Sequence, residues 1–149
     1  MTEAASAPGE SSLAKLLTTL TITLHPSTFV FLSFRPDEFP PSGLLTNAIM
    51  TFRESEGLTL ITALENAKDH QITEYIFPCR MITCNVHSSL EAVGFMMTIT
   101  ARLTEAGIGA NPVSGFYHDH LFVPLGREAE AVKELEELVE EAKMGQEDD

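Results

Sequence analysis

The chain has 149 residues, of which 44% are hydrophobic and 21% charged, and its formal net charge is -13. This length suits one ordinary domain or two small ones, and the composition is normal for a globular protein with a real core. Residues 126–149 hold ten Asp or Glu against three Lys or Arg. Phosphate backbones and anionic lipids would repel such a chain, which argues against nucleic acid and membrane surfaces as partners.

The N-terminal sequence MTEAASAPGESS lacks the basic and apolar regions of a secretory signal. No apolar run approaches the length of a membrane span, so we expect a cytoplasmic protein. Residues 1–10 are small and polar, which predicts a disordered tail, and residues 145–149 form an acidic tail. Cys79 and Cys84 lie five residues apart in a predicted strand and therefore on opposite faces, which predicts buried free thiols rather than a disulfide.

The sequence of the first half, residues 11–77, predicts a degenerate α+β unit. Leu13, Leu16 and Leu17 indicate a short amphipathic helix over residues 11–19. The segments TITL and FVFLSF predict two strands separated by residues 25–27, and RPDEFPPSG predicts a proline-rich loop. Residues 48–64 predict a hairpin with a tight turn at Glu54–Gly57, followed by a short helix at residues 65–70.

The second half, residues 78–144, opens with a predicted strand at residues 79–86 and a predicted helix from Ser88 to a stop at Gly107. Ser88 and Glu91 match the capping box S-x-x-E, which satisfies free N–H groups at a helix start. Gly94 costs such a helix about 1 kcal/mol relative to alanine, so close approach of a ligand or another backbone is expected there. The apolar face consists of Ala92, Met96, Ile99, Leu103 and Ala106.

Two strands and a helix complete this half. IGANPVSGF and HLFVPL predict a hairpin, with Pro112 marking an edge strand or a bulge, and residues 127–143 predict the last helix. The order β-α-β-β-α predicts a ferredoxin-like α+β sandwich. The missing fourth strand comes either from the first half or from a second chain, and an unpaired strand edge favours a homodimer.

This topology brings residues 87–90, Gly94 and the predicted turn at Tyr117–His120 to one edge of the sheet. A helix N-terminus favours negative charge, Ser88 and Ser89 add hydroxyl donors, and Asp119 offers a carboxylate. A pocket with donors for an anion and an acceptor for a cation fits an amino acid. The alternative is that Asp119 only caps the turn.

Two other chemistries are open to the same segment. His87, His118 and His120 supply three nitrogens for zinc, without a cysteine or a further histidine to complete the set. Ser88, His118 and Asp119 suggest a catalytic triad, but no nucleophile-elbow glycines surround Ser88, and helix capping explains that serine. Met96 and Met97 are predicted to lie in the core.

Four segments, FRESEGLTL, FPCR, VHSSLEAVG and GFYHDHLFVP, lie within residues 52–124. They resemble the ACT domain family, in particular its small stand-alone proteins with two ACT-like halves. The resemblance implies tandem β-α-β-β-α-β units, the first one degenerate, that bind an amino acid or related metabolite, without catalysis or cofactor and with a possible regulated protein partner. The hairpin is more distantly similar to that of the tandem-ACT arginine sensor of the TOR pathway, which implies that Asp119 and the loop Ser88–Gly94 hold the ligand.

The combined interpretation is a non-catalytic amino-acid sensor that forms a homodimer. The alternatives are a metal-binding protein that uses His87, His118 and His120, and a dimerisation module with a vestigial pocket. The expected ligand-binding residues are His87, Ser88, Ser89, Leu90, Glu91, Gly94, Phe116, Tyr117, His118, Asp119 and His120.

Overall fold

The computed structural model describes residue 5 and residues 7–147 of the chain. Half of the predicted disordered tail (residues 1–4 and 6) and the end of the predicted acidic tail (residues 148 and 149) lie outside the described residues. In chain order the elements are α1 (Leu13–Thr19), β1 (Ile22–Phe34), α2 (Ser42–Thr46), β2 (Met50–Arg53), β3 (Leu58–Ala63), α3 (Leu64–Asp69), β4 (Ile76–Cys84), α4 (Phe95–Glu105), β5 (Asn111–Ser114), β6 (Asp119–Pro124) and α5 (Glu128–Glu147).

The chain forms two compact units: a central unit, Pro26–Met81, and a terminal unit, Met1–His25 with Ile82–Asp149. This division differs from the predicted boundary between residues 77 and 78. The reason is that α1 packs against α4 and α5, and the first residues of β1 pair within the terminal unit. There the Asn85 N–H donates to the Thr21 carbonyl at 2.8 Å, and the Asn85 side chain donates to the Thr23 hydroxyl, also at 2.8 Å.

The central unit has the strand order β2-β3-β1-β4, with β3 antiparallel to both β1 and β2. Glu54 and Gly57 exchange backbone hydrogen bonds of 2.9 and 3.2 Å, which close the predicted turn. Leu32, Leu44 and Leu60 form a buried cluster in this unit. Sequence patterns predicted its hairpin and α3, but α2 was missed because it begins within the proline-rich segment.

The terminal unit contains the predicted run β4-α4-β5-β6-α5, and its strand order is β1-β4-β6-β5. The start of β1 supplies the missing fourth strand, so a second chain is not needed to complete the sheet. This order and the crossover through α4 confirm the predicted ferredoxin-like α+β fold. Pro112 lies in the edge strand β5, where a missing N–H does not interrupt a ladder.

The prediction of two strands on either side of residues 25–27 is wrong, because β1 is one continuous strand of 13 residues. Proline lacks a donor, yet its φ is compatible with an extended backbone, so Pro26 is tolerated inside β1. The prediction that Met97 lies in the core is also wrong, because its side chain is 72% exposed. Its neighbour Met96 is partly buried and packs against the core of the terminal unit.

Arg102 joins α4 to α5 on the outside of this core. Its guanidinium donates to Glu134 at 2.7 Å, to Glu141 at 2.7 and 3.0 Å, and to Glu137 at 3.3 Å. The pKa of the Glu141 carboxyl is lowered mainly by the hydrogen bond from Arg102. The cluster therefore uses part of the acidic face of α5 as a structural contact.

We expect Arg102→Met to lower the free energy of unfolding by about 1 kcal/mol near neutral pH, since partly exposed ion pairs are screened by solvent. A carboxyl whose pKa is lowered by folding adds stability above its ordinary pKa and loses it as pH falls through the folded value. The difference between native protein and variant should therefore shrink in acid. Denaturant titrations across this pH range measure it.

Lys133→Met is the matched control, because Lys133 is 73% exposed and lies 3.8 Å from Glu137. It removes the same formal charge without breaking the contact between α4 and α5. Equal destabilisation by the two substitutions would contradict a specific role for Arg102.

Candidate functional site

The segment between β4 and α4 is a loop, and α4 begins at Phe95 rather than at Ser88. Gly94 is the N-cap residue and has φ +90, a left-handed conformation that interrupts a helix and favours glycine. The predicted capping box is therefore wrong. Instead, the Ser89 hydroxyl accepts from the Glu91 N–H at 3.1 Å and forms a local turn.

Glu10 pairs with this loop, so the last residue of the segment predicted to be disordered takes part in backbone hydrogen bonds. The Glu10 N–H donates to the His87 carbonyl at 2.7 Å, and the Ser89 N–H donates to the Glu10 carbonyl at 2.8 Å. Gly9 lies so close that a Cβ built on it would stand 2.7 Å from the His87 carbonyl oxygen and 2.8 Å from the Ser89 nitrogen. The N-terminal segment thus forms a strap, residues 7–10, along the loop.

Asp119 is the first residue of β6 and is only 6% exposed. Its carboxylate accepts from the Ser88 hydroxyl at 2.8 Å and from the Ser114 hydroxyl at 2.6 Å. Among the described residues, Asp119 is the only buried side chain with a formal charge. A buried carboxylate needs such donors, and here they tie the loop to both strands of the hairpin.

The hairpin turn covers residues 115–118 rather than the predicted Tyr117–His120, and the Gly115 N–H donates to the His118 carbonyl at 2.8 Å. Phe116 and Tyr117 are exposed at its tip, and their ring centroids lie 6.3 and 5.1 Å from that of His87. The Nε2 atom of His87 is buried and has no hydrogen-bond partner among the described residues.

A cavity of about 160 Å³ lies where the loop, the start of α4 and the hairpin meet. Its lining combines four polar residues, among them Asp119, with four apolar ones. The structure therefore brings the predicted residues Ser88, Ser89, Leu90 and Asp119 together around one space. The lining residues are Ser88, Ser89, Leu90, Ala92, Phe95, Met96, Ser114 and Asp119.

His120, another of the predicted ligand-binding residues, lies in different surroundings. The alternation of β6 turns His120 away from Asp119. Thr83 Oγ1 lies 2.8 Å from His120 Nδ1 and 2.8 Å from His25 Nε2. The pKa of His120 is lowered, first by burial and then by His118 and His25, while Asp119 opposes the shift.

The histidine alternative does not form a metal-ligand group in the described part of the chain, where no three His, Cys, Asp or Glu side chains are arranged to hold a metal ion. Cys79 and Cys84 are buried free thiols, and burial raises the pKa of each to about 12. Neither thiol is thereby suited to act as a nucleophile, which requires the thiolate form.

Gly94 has open space at its side-chain position, because a Cβ there would meet only Leu13 Cδ2, at 3.6 Å. Its glycine is required by the backbone conformation, whereas the sequence had suggested close approach of a ligand. Sequence reasoning also missed Ser114, Ala92, Phe95 and Met96. Ser114 could have been found from the hairpin register, since it pairs directly with Asp119.

Two ACT domain profiles match the chain in tandem, one over residues 8–80 and the other over residues 76–137. The chain belongs to the ACT domain family. The tandem matches confirm the resemblance to proteins with two ACT-like halves. They also support a general role for the ACT protein in regulation through ligand binding. Among its described residues, no helix is both long and apolar enough to cross a membrane.

Several solved structures share the fold. The ACT protein is 36% identical to a Vibrio cholerae protein of unknown function, described as a possible transport protein, with a TM-score of 0.72 over 85% of this chain and 95% of that one. An Agrobacterium tumefaciens protein is 15% identical, with a TM-score of 0.69 over 80% and 89% of the two chains. The ligand-free regulatory subunit of aspartate kinase from Thermus thermophilus shares the fold at 10% identity, with a TM-score of 0.57 over 82% and 97%. No curated protein matches the sequence.

We expect Gly9→Ala to detach the strap from the loop, because the added Cβ would overlap two backbone groups and because φ at Gly9 is +104. Hydrogen exchange at the Ser89 amide should become faster, while the core amides of Leu121 and Val123 keep their protection.

Gly109→Ala is the control, since a Cβ at Gly109 would meet nothing within 4 Å. Unchanged protection of the Ser89 amide in Gly9→Ala would show that the strap does not hold the loop.

Proposed function

We propose that this ACT protein is a non-catalytic regulatory protein that binds a free amino acid in the cavity beside Asp119. The most direct support for this proposal is the hydrogen bonding of the Ser88 and Ser114 hydroxyls. Ser88 and Ser114 each donate their single proton to Asp119, so their oxygens face other groups as acceptors. The polar part of the lining is thus negative and rich in acceptors, which complements an ammonium group.

The ligand carboxylate would lie at the start of α4. The first bond within this helix runs from the Thr98 N–H to the Gly94 carbonyl at 3.0 Å, so the N–H groups of Phe95 and Met96 precede it. Gly94 has no side chain to cap them, and both residues line the cavity. This placement replaces the turn at Ser88–Glu91, which the sequence alone had suggested.

Regulation would follow from the three segments that meet at the ligand: the strapped loop, the start of α4 and the hairpin. A ligand that contacts all three stabilises one arrangement of them over others. A coupling free energy of about 1–3 kcal/mol is typical of such regulation. The protein that responds to this change would be a second copy of the chain or a regulated protein partner in the cytoplasm.

Asp119→Asn tests the ammonium site. Asparagine keeps the shape and can still bond to both serine hydroxyls, but it removes the negative charge. Since a charge-assisted hydrogen bond contributes roughly 1.5–3 kcal/mol, affinity should fall by about ten- to hundredfold. Isothermal titration calorimetry should use the amino acid that raises the melting temperature most in a screen of the common twenty.

Asp69→Asn is the control, because Asp69 is exposed at the end of α3 and its loss changes the net charge equally. Equal affinity of Asp119→Asn and the native protein would mean that Asp119 only organises the turn. A screen without any binding amino acid would favour a dimerisation module with a vestigial pocket.

A homodimer is the second part of the proposal. Its support is that β2 and β5 end the strand order and so expose backbone edges, which proteins seldom leave uncovered. Phe52 in β2 is 64% exposed, an apolar group suited to such a contact.

Sedimentation velocity at micromolar concentration should therefore give twice the mass of one chain, and Phe52→Lys should shift the protein toward monomer if the β2 edge forms the contact. A native protein that sediments only as a monomer, with and without amino acids, would refute the dimer.

A further inference from the structure

We infer that the terminal unit carries a docking surface for an extended segment of another protein, one that combines apolar side chains with lysine or arginine. The segment would pair as an added strand with residues 22–24, and its apolar side chains would lie in a groove beside α5. This surface shares no lining residue with the cavity beside Asp119, so it does not depend on a bound amino acid.

The start of β1 is an open strand edge. Among the described residues, β1 ends the strand order of the terminal unit, and its register with β3 begins only at Phe29. The Asn85 N–H donates to the Thr21 carbonyl, so this carbonyl faces β4. Since the C=O and N–H of a trans peptide point in opposite directions, the Ile22 N–H faces the open edge, and alternation directs the Leu24 N–H the same way.

The sequence at this edge favours pairing. Proteins usually protect a free edge with charged side chains, proline or a bulge. Residues 21–24 read TITL, which contains no charge and no proline and is rich in β-branched side chains. Pro26 is the first residue without an N–H, so the edge suits a short added strand.

A groove of about 410 Å³ lies between the beginning of β1 and α5. Its floor is apolar, since Leu20, Leu135 and Val139 are buried and Ile22 packs against the same core. A strand added at the edge would direct alternate side chains to the face of the sheet that α5 covers, so apolar side chains at these positions would meet the floor.

The rim of the groove selects a basic segment. Glu136 and Glu140 are exposed there, and Lys143 lies 3.3 Å from Glu140. Within the described part of the chain, Glu136 has no ion-pair partner. A lysine or arginine beside the apolar residues would complement it. A second copy of the chain, with its net charge of -13, would instead bring another acidic α5 to the same place.

The probe for this surface is the peptide Lys-Thr-Val-Thr-Val-Thr-Lys, blocked at both ends, which in extended form presents lysine and valine on one face and threonine on the other. In an NMR titration of the full chain it should slow hydrogen exchange at the Ile22 and Leu24 amides. The Thr23 amide faces β4 and should be protected with or without peptide. Unchanged exchange at Ile22 and Leu24 would overturn the inference.

Charge selection is tested with the same peptide carrying glutamate in place of both lysines, which should bind at least about tenfold more weakly. On the protein, Glu136→Gln should weaken binding of the lysine peptide roughly two- to fivefold, as for a solvent-screened pair. Glu105→Gln is the matched control, because Glu105 is exposed at the end of α4 and loses the same charge outside the groove. Equal effects of the two substitutions would show that the rim does not select the segment.

Methylation of the peptide nitrogens separates strand pairing from contact in the groove alone. An extended peptide turns the N–H groups of its valines toward one edge and those of its threonines toward the other. Methylating the set that faces β1 should weaken binding at least about tenfold, while methylating the other set should leave it nearly unchanged. A loss with both sets, or with neither, would rule out the added strand.

A second copy of the chain is the other candidate occupant of the edge. Exchange at the Ile22 and Leu24 amides should be independent of protein concentration when no peptide is present. Protection of these amides that increases with protein concentration would show that the edge pairs with itself, and it would overturn the inference of a basic partner.

Discussion

The buried carboxylate of Asp119 is the interaction on which the candidate site depends. An unsatisfied carboxylate in this position would be strongly destabilising, so the hydroxyls of Ser88 and Ser114 must stay close to it. These two bonds hold the loop after β4 against the hairpin. The cavity lies where the loop, the hairpin and the start of α4 meet. The same bonds determine which atoms face that cavity as acceptors.

Backbone geometry adds a second constraint. The left-handed conformation of Gly94 delays the start of α4 until Phe95, which frees residues 88–94 to form a loop over the cavity. A helix that began at Ser88 would use the loop N–H and carbonyl groups in its own hydrogen bonds. The strap at residues 7–10 supports the loop through backbone bonds to His87 and Ser89. The site therefore combines the N-terminal segment with residues from the second half of the chain.

A ligand at this junction has an evident route to a regulatory effect. Loops have few internal contacts, so their arrangement is less stable than that of the core and is readily biased by binding. In the proposed function, one amino acid would contact the loop, α4 and the hairpin together and thereby stabilise their mutual arrangement.

Local sequence patterns were sufficient to predict the hairpins, the helical faces and the β-α-β-β-α order, because alternation, turn residues and apolar spacing report on neighbours along the chain. They failed at Ser88, since the capping-box pattern does not reveal that Gly94 adopts φ +90. They also could not determine that β1 completes the sheet of the terminal unit or that Glu10 pairs with Ser88. These contacts join residues far apart in the chain, and only the packing of the whole fold decides which partners meet.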